Sequence, residues 1–411
     1  MQIMNAPTLQ ATLQPTLAAL PLIKQWVSFA SVSRDSNLPI IEWTQNLLEA
    51  QGVECHLSFD DTSAKANLWA TLPAQDGEEK VGGLVLSGHT DVVPVDGQPW
   101  VTDPFEAQIM GDKLYGRGVT DMKSYGATAL MMVPELLKRK LKRPVHLAFS
   151  YDEEVGCIGV HRLIADMQAR GYKPAGCIVG EPTGMQVVIA HKGKHGYKTS
   201  VRGHEAHSSL TPLGVNAVEI ACEFVSHLKS MHRALAQNGP FDAAYDVPHT
   251  TIHTGVIAGG TALNIIPRDC DVTWEIRHHH LNSPVELFAQ AKAFADSLVP
   301  AMQSVAPDTG ISHVRTSMLP GFATDADSDI AKLCFNCAGI GAATGGGDFQ
   351  GAGKVSFGTE ASLFHNAGVP TVVCGPGHIA QAHQPNEWVS LEQLAWCERF
   401  MRQLADEICV S

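Results

Sequence analysis

No run of about 18 apolar residues occurs in this chain, so no membrane-spanning helix is expected. It also lacks a basic face. Forty-two acidic residues stand against 29 basic ones, for a net charge of -13, and the densest basic run, "LKRKLKR" (137–143), reads as the solvated last turn of a helix. Phosphate neutralisation needs more than that, which excludes nucleic acid as a partner. There is no disulfide framework: ten cysteines are scattered among 411 residues without a pairing pattern. The single C-x-x-C, Cys334 to Cys337, sits in "DIAKLCFNCAGI", which reads as a helix with buried thiols rather than a redox or zinc pair. The opening "MQIMNAPTLQATLQPTL" has neither the basic start nor the apolar core of a signal peptide, so a reducing, cytoplasmic compartment is expected. A phosphate loop is missing too. "GIGAATGGGDFQGAGK" (339–354) has Asp348 where G-x-x-x-x-G-K needs glycine, and Val355 where it needs Ser or Thr; it is read as a mobile loop.

What is present is length enough for two domains and 45% apolar residues, enough for a large core. Residues 17–52 read as helical. "VECHLSF", "ANLWATL", "GGLVLSGHTDVV", "PVHLAFSYDEE" and "GCIVGEPT" read as strands, alternating with the helices "SYGATALMMVPELLKRK", where Pro134 is placed to kink, and "VHRLIADMQARG". The expected class is α/β: a mixed, mostly parallel sheet with helices on both faces. From residue 193 the texture changes to strand (196–203), helix (216–236), strands (250–257 and 268–277), helix (284–299) and strand (311–318). That is a β-α-β-β-α-β unit, followed by a return to the earlier alternation. The expected division is therefore 1–192 with 317–411 as one domain and 193–316 as an insert. "HHH" (278–280) reads as a solvated turn after a strand.

In an open α/β sheet, function gathers beyond the carboxyl ends of the strands. The predicted strand ends here carry His89 and Asp91, then Asp152, Glu153 and Glu154, then Glu181, and a loop with His378 and His383; Asp121 precedes a helix. His89 and Asp91 are two residues apart in extended backbone and so face the same way. Each has a structural reading alone: Asp121 as a helix N-cap, Glu154 as an exposed turn residue, His383 as a surface histidine. Together they are expensive unless something compensates their charge, and a metal cluster does so. Imidazole with carboxylate suits zinc, with cobalt or manganese fitting the same donors. His89, Asp121, Glu154, Glu181 and His383 make a sensible set for two divalent ions.

The motifs "SGHTDVVP", "LYGRGVTDMKSYGA", "DEEVGC" and "GEPT" resemble those of the zinc amidohydrolase/metallopeptidase family of acetylornithine deacetylase, succinyl-diaminopimelate desuccinylase and aminoacylase, and "FGTEASLF" and "GPGHIAQAHQPNEWV" are most similar to its acetylornithine deacetylase branch. The resemblance runs from about residue 80 to the C-terminus. It implies that Asp121 bridges two metals, with His89 and Glu181 at one and His383 and Glu154 at the other, the assignment of carboxylates to imidazoles staying open. Asp91 would orient His89, and Glu153 would be the general base, taking a proton from activated water and returning it to the leaving amine. The insert would be a lid and dimerisation domain of a homodimer. Its His207 would reach the partner's site, or be an ordinary strand-end histidine. Asn264 and Arg277 would touch substrate, Arg277 by holding a carboxylate or else forming a salt bridge within the lid. Glu360 would pair with a substrate ammonium, or else be a helix N-terminal acid. The implied reaction is hydrolysis of N2-acetyl-L-ornithine to acetate and L-ornithine in arginine biosynthesis. The alternatives are a desuccinylase or a broader N-acyl-L-amino acid hydrolase, and, from another class, a catalytically silent metal-binding protein.

Overall fold

The computed structural model describes residues 17–338 and 353–410; most of the glycine-rich stretch read as a mobile loop lies outside them. The main sheet runs in the order Cys55–Phe59, Ala66–Leu72, Val145–Ser150, Leu84–His89, Gly176–Pro182, Thr371–Gly375, Val188–His191, Phe322–Ala323, with Gly353–Val355 also on Val188–His191. The parallel part is its centre: Val145–Ser150, Leu84–His89, Gly176–Pro182 and Thr371–Gly375 pair parallel in succession, and antiparallel strands flank them. Parallel strands covered on both faces read as continuous apolar runs, and "LVLSGH" and "VHLAFS" are buried at every position.

Alternation along these strands feeds two cores. Leu84, Leu86, Leu147 and Ile178 point to one face, against helices Leu20–Val27, Leu38–Glu49, Lys123–Lys138, Asp329–Cys337 and Leu391–Ile408. Val85, Ala148, Cys177 and Val179 point to the other, against Val160–Ala169 and Ala361–Asn366. Helix Lys123–Lys138 runs through Pro134 as one element. It lies close on the sheet because Gly180 has no side chain; a Cβ there would stand 1.9 Å from the Tyr125 ring. Cys334 and Cys337 are buried free thiols, as are most of the others.

Segment 193–319 builds a second, wholly antiparallel sheet in the order Thr251–Gly259, Asp269–His278, Gly193–Arg202, Gly310–Leu319, backed by helices Ala217–Asn238 and Pro284–Val305 over a core that includes Phe224, Trp274 and Leu287. Asn216 caps the first helix by accepting from the Val218 and Glu219 amides, and Ser283 caps the second. The chain enters and leaves at one place. Lys194 pairs with Leu319 and His191 with Phe322, and between them a Cβ on Gly193 would lie 2.7 Å from the Gly321 nitrogen. The expected solvated histidine turn is corrected for two of its three residues. His278 ends a strand against Gly193, at the junction between the two sheets, with both ring nitrogens buried and without a hydrogen bond, and His279 is buried with Nε2 3.1 Å from the Pro240 carbonyl oxygen, while His280 is exposed in the turn. Among the described residues no helix is long and apolar enough to cross a membrane.

Candidate metal centre

Four adjacent parallel strands deliver the ionisable groups to one end of the sheet. His89 ends Leu84–His89, Glu153 and Glu154 follow Val145–Ser150, Glu181 closes Gly176–Pro182, and His383 lies in the loop after Thr371–Gly375. Asp121 comes from the turn before helix Lys123–Lys138 and stands between the histidines: Oδ1 is 3.0 Å from His89 Nε2 and Oδ2 is 3.2 Å from His383 Nε2. Glu154 Oε2 is 3.0 Å from His383 Nε2, and Glu181 Oε1 is 3.7 Å from His89 Nε2. By mutual approach within 4.8 Å, His89 groups once with Glu153 and Glu181 and once with Asp121 and Glu154; His383 joins the second group through its own contacts. The structure thus brings together all five residues expected as ligands, together with Glu153. His383 holds its place at φ 61°, a left-handed backbone that few non-glycine residues adopt.

The donor set fits a cation. His89 Nδ1 lies 2.8 Å from the Asp91 carbonyl oxygen, and a carbonyl only accepts, so Nδ1 carries the proton. Nε2 then turns its lone pair toward Asp121 Oδ1, and two lone pairs 3.0 Å apart repel unless a proton or metal ion lies between them. The surroundings add to this. Burial, then the neighbouring Glu154, Asp121 and Asp91, push Glu153 up to about 8 against the pull of His89. Burial and Asp121 push Glu154 up to about 7, and the same two causes raise Glu181 well above the usual carboxylate range. The imidazoles of His383 and His89 beside it outweigh burial and hold Asp121 low. The bonds to Asp121 and Glu154 lift His383 to about 10. Crowded acids strained toward protonation are what a divalent cation would relieve.

The residues around the cluster meet some expectations and correct others. The Asp91 carboxylate sits 3.5 Å from His89 Nδ1, farther than Asp91's own carbonyl, and accepts from Ser33 Oγ at 2.6 Å, the Glu153 amide at 3.1 Å and the Glu154 amide at 3.4 Å. It ties the ligand strand to the acidic loop as well as facing the histidine. Glu153 Oε1 accepts from the Cys157 thiol at 3.2 Å. Glu360 is corrected as an ammonium partner. It is fully buried, with Oε1 accepting from Ser87 Oγ and Oε2 from Ser150 Oγ, each at 2.6 Å. Two serines on neighbouring strands occupy both oxygens beneath the site, and the residue makes no N-cap bond. His378 stands apart from the cluster, 2.8 Å from Gln393.

A cavity of about 610 Å³ opens on the cluster. Asp121, Glu153, Glu154, Glu181 and His383 form one wall, and Lys194, Arg277 and residues 316–319 of the antiparallel sheet form the facing one. Arg277 both lines this cavity and bonds Glu275 at 2.9 Å; Lys194, which sequence reasoning missed, stands 3.5 Å from the same carboxylate. His207 and Asn264 are exposed and outside the cavity of their own chain. The Ser208 amide donates to the Asn264 carbonyl at 3.0 Å, and His207 Nδ1 caps a short turn through Ser209. Also missed were Arg117 and Glu387, although "GRGVTDM" and "HQPNEWV" were in view. Buried and 2.8 Å apart, they lie directly under the Asp121 turn.

Residues 85–407 match the profile of Peptidase family M20/M25/M40. An acetylornithine deacetylase of Yersinia pseudotuberculosis is 32% identical over 349 residues, covering 85% of each chain. One from Photorhabdus laumondii is 29% identical over 401 residues, covering 95% of this chain and 97% of its own. Among solved structures, a Staphylococcus aureus tripeptidase aligns with a TM-score of 0.72 at 19% identity, over 95% of this chain and 98% of that one. A Bacillus subtilis dinuclear metal-binding peptidase aligns at 0.64 and 13%, over 95% and 98%.

Proposed function

We propose a function on one premise: this chain belongs to peptidase family M20/M25/M40. It is a metal-dependent amide hydrolase, and the substrate we assign is N2-acetyl-L-ornithine, cleaved to acetate and L-ornithine. The carrying observation is the convergence of His89, Asp121, Glu154, Glu181 and His383, all but the buried His89 lining a cavity that also holds Glu153; the relatives named acetylornithine deacetylase support the substrate.

His89 and Glu181 would hold one divalent ion, His383 and Glu154 a second, with Asp121 shared; zinc suits the donors, with cobalt as alternative. Bound there, such ions supply Lewis acidity that makes water nucleophilic and polarises an amide carbonyl. Glu153 takes the proton from the attacking water and returns it to the leaving nitrogen. Its place in the cavity next to Glu154, outside the ligand set, suits both halves of that transfer. Asp91 keeps His89 and the Glu153–Glu154 backbone in register. Arg277 meets the substrate carboxylate from the facing wall. His207 and Asn264, exposed side by side in the loops that flank the antiparallel sheet near the exposed Leu210, Leu213 and Leu263, would serve a second copy's cavity, which makes the active form a homodimer.

One observation favours the broader N-acyl-L-amino acid hydrolase as a second reading. Glu360 is sealed, and among the described residues the cavity's only carboxylates are those of the cluster, while Val155, Ile158, Met318 and Ile379 line it with exposed apolar surface. The test is dialysis against a chelator, zinc or cobalt add-back, and acetate or succinate release from N2-acetyl-L-ornithine, N-succinyl-diaminopimelate and N-acetylmethionine. The first reading expects metal-dependent turnover with the highest kcat/KM on acetylornithine. A higher value on N-acetylmethionine selects the second, and hydrolysis that persists without metal removes both.

A further inference from the structure

Beneath Asp121 lies a buried polar network that the proposed chemistry does not use. Glu387, 1% exposed, spends both carboxylate oxygens on one turn: Oε1 accepts from the Thr120 amide at 2.8 Å and the Asp121 amide at 3.1 Å, and Oε2 accepts from the Gly118 amide at 3.1 Å and Arg117 Nη1 at 2.8 Å. Three backbone amides of the turn that presents Asp121 therefore converge on one side chain. The guanidinium of Arg117, also 1% exposed, continues the chain of bonds. Its Nη2 donates to Gln98 Oε1 at 2.6 Å, and Gln98 Nε2 donates to the His383 carbonyl oxygen at 3.2 Å. Backbone contacts close the same loop: the Gly116 amide donates to the Glu387 carbonyl at 3.0 Å, and Thr120 Oγ1 donates to the Trp388 carbonyl at 2.7 Å.

Resting on the metal-site reading above, we infer that Glu387, with Arg117 and Gln98, is a positioning device that fixes the distance between Asp121 and His383, and with it the metal affinity of the centre. A buried ion pair is a weak source of stability, since desolvation offsets most of the attraction, but it tolerates only one arrangement. Here that arrangement connects the two loops whose side chains meet 3.2 Å apart. Carboxylates supporting metal ligands from behind affect affinity in the same way.

The test is titration of the metal-free protein with Zn2+ against a chromophoric chelator, with thermal melts of the same samples. Glu387→Gln keeps the volume but presents an amide NH2 to donors on one side, and is expected to weaken Zn2+ binding about 10–100-fold. Gln98→Ala, at a half-buried loop position, cuts the link to His383 and is expected at the low end of that range. Val389→Ala is the control. Val389 is fully buried in the adjoining strand, so the melt should fall while Zn2+ affinity stays at the wild-type value. Wild-type affinity in Glu387→Gln or in Gln98→Ala, or an equal loss in Val389→Ala, overturns the inference. Wild-type protein that takes up no Zn2+ overturns the metal-site reading itself, a result distinct from either.

Discussion

Asp91→Asn asks what holds His89. Two acceptors compete for Nδ1: the Asp91 carbonyl at 2.8 Å and its carboxylate at 3.5 Å. The backbone carbonyl survives the substitution and the charge does not. Asparagine can keep its oxygen on the Glu153 amide, now 3.1 Å from the carboxylate, and its NH2 can donate to Ser33 Oγ. The Glu154 amide, at 3.4 Å, then faces a donor. What is lost is the negative charge behind the imidazole and the tether on Glu154. Loss of such outer support costs about 10–100-fold in activity or metal affinity, or about 1.4 to 2.8 kcal/mol at roughly 1.4 kcal/mol per decade. Ser33→Ala separates stability from function. It removes the 2.6 Å bond to the same carboxylate, at about 1.5–3 kcal/mol for a bond to a charged group, and leaves His89 and both loop amides in place. The assay is kcat/KM on the best substrate, with Zn2+ affinity and denaturant unfolding of each variant. Asp91→Asn should lose rate and affinity beyond Ser33→Ala at similar stability. A variant within twofold of wild type in both would refute the reasoning and leave the orientation of His89 to the backbone carbonyl alone.

Two other expectations follow. Glu153→Gln should lower kcat by about 10²–10⁴ through loss of proton transfer while leaving Zn2+ binding nearly intact, and a loss below about tenfold would deny Glu153 that part. Burial pushes His146, His191 and His278 each down to about 4. Because each is neutral when folded and titrates near 6.5 when unfolded, stability is complete above pH 6.5 and falls as pH drops toward 4, by on the order of 3 kcal/mol per histidine. His146→Gln should flatten that slope between pH 7 and pH 5 relative to wild type in urea unfolding, and an unchanged slope would mean that His146 is not protonated on unfolding.

The elements and the cluster were legible because strand ends leave a local record. An apolar run closing on His89, or one on Glu181, states both the strand and the place where its chemistry emerges. The same record is silent about direction at a helix start. "GTEA" shows an acid before a helix, and nothing in those letters says that it turns inward to serines 273 and 210 residues away in sequence. Glu387 was invisible for the same reason. Its partners lie 266 to 270 residues upstream, and a buried carboxylate holding backbone amides has no spacing to read. His278 and His279 looked solvated because their burial arises from packing that exists only once the chain has folded around them.

The junction between the two sheets has a mechanical meaning. The antiparallel sheet joins the main one through two neighbouring strands that touch at Gly193 and Gly321, and a bridge between Tyr245 and Lys354, beside the Lys354–Asp242 ion pair, ties the same segment down a second time. Lys194, Arg277 and the stretch from Thr316 to Leu319 ride on it as one piece, opposite acids that belong to the other sheet. Any displacement of that sheet therefore moves the cationic groups and the apolar cover together. Reading the substrate's charge and drying the reaction chamber become a single displacement rather than two.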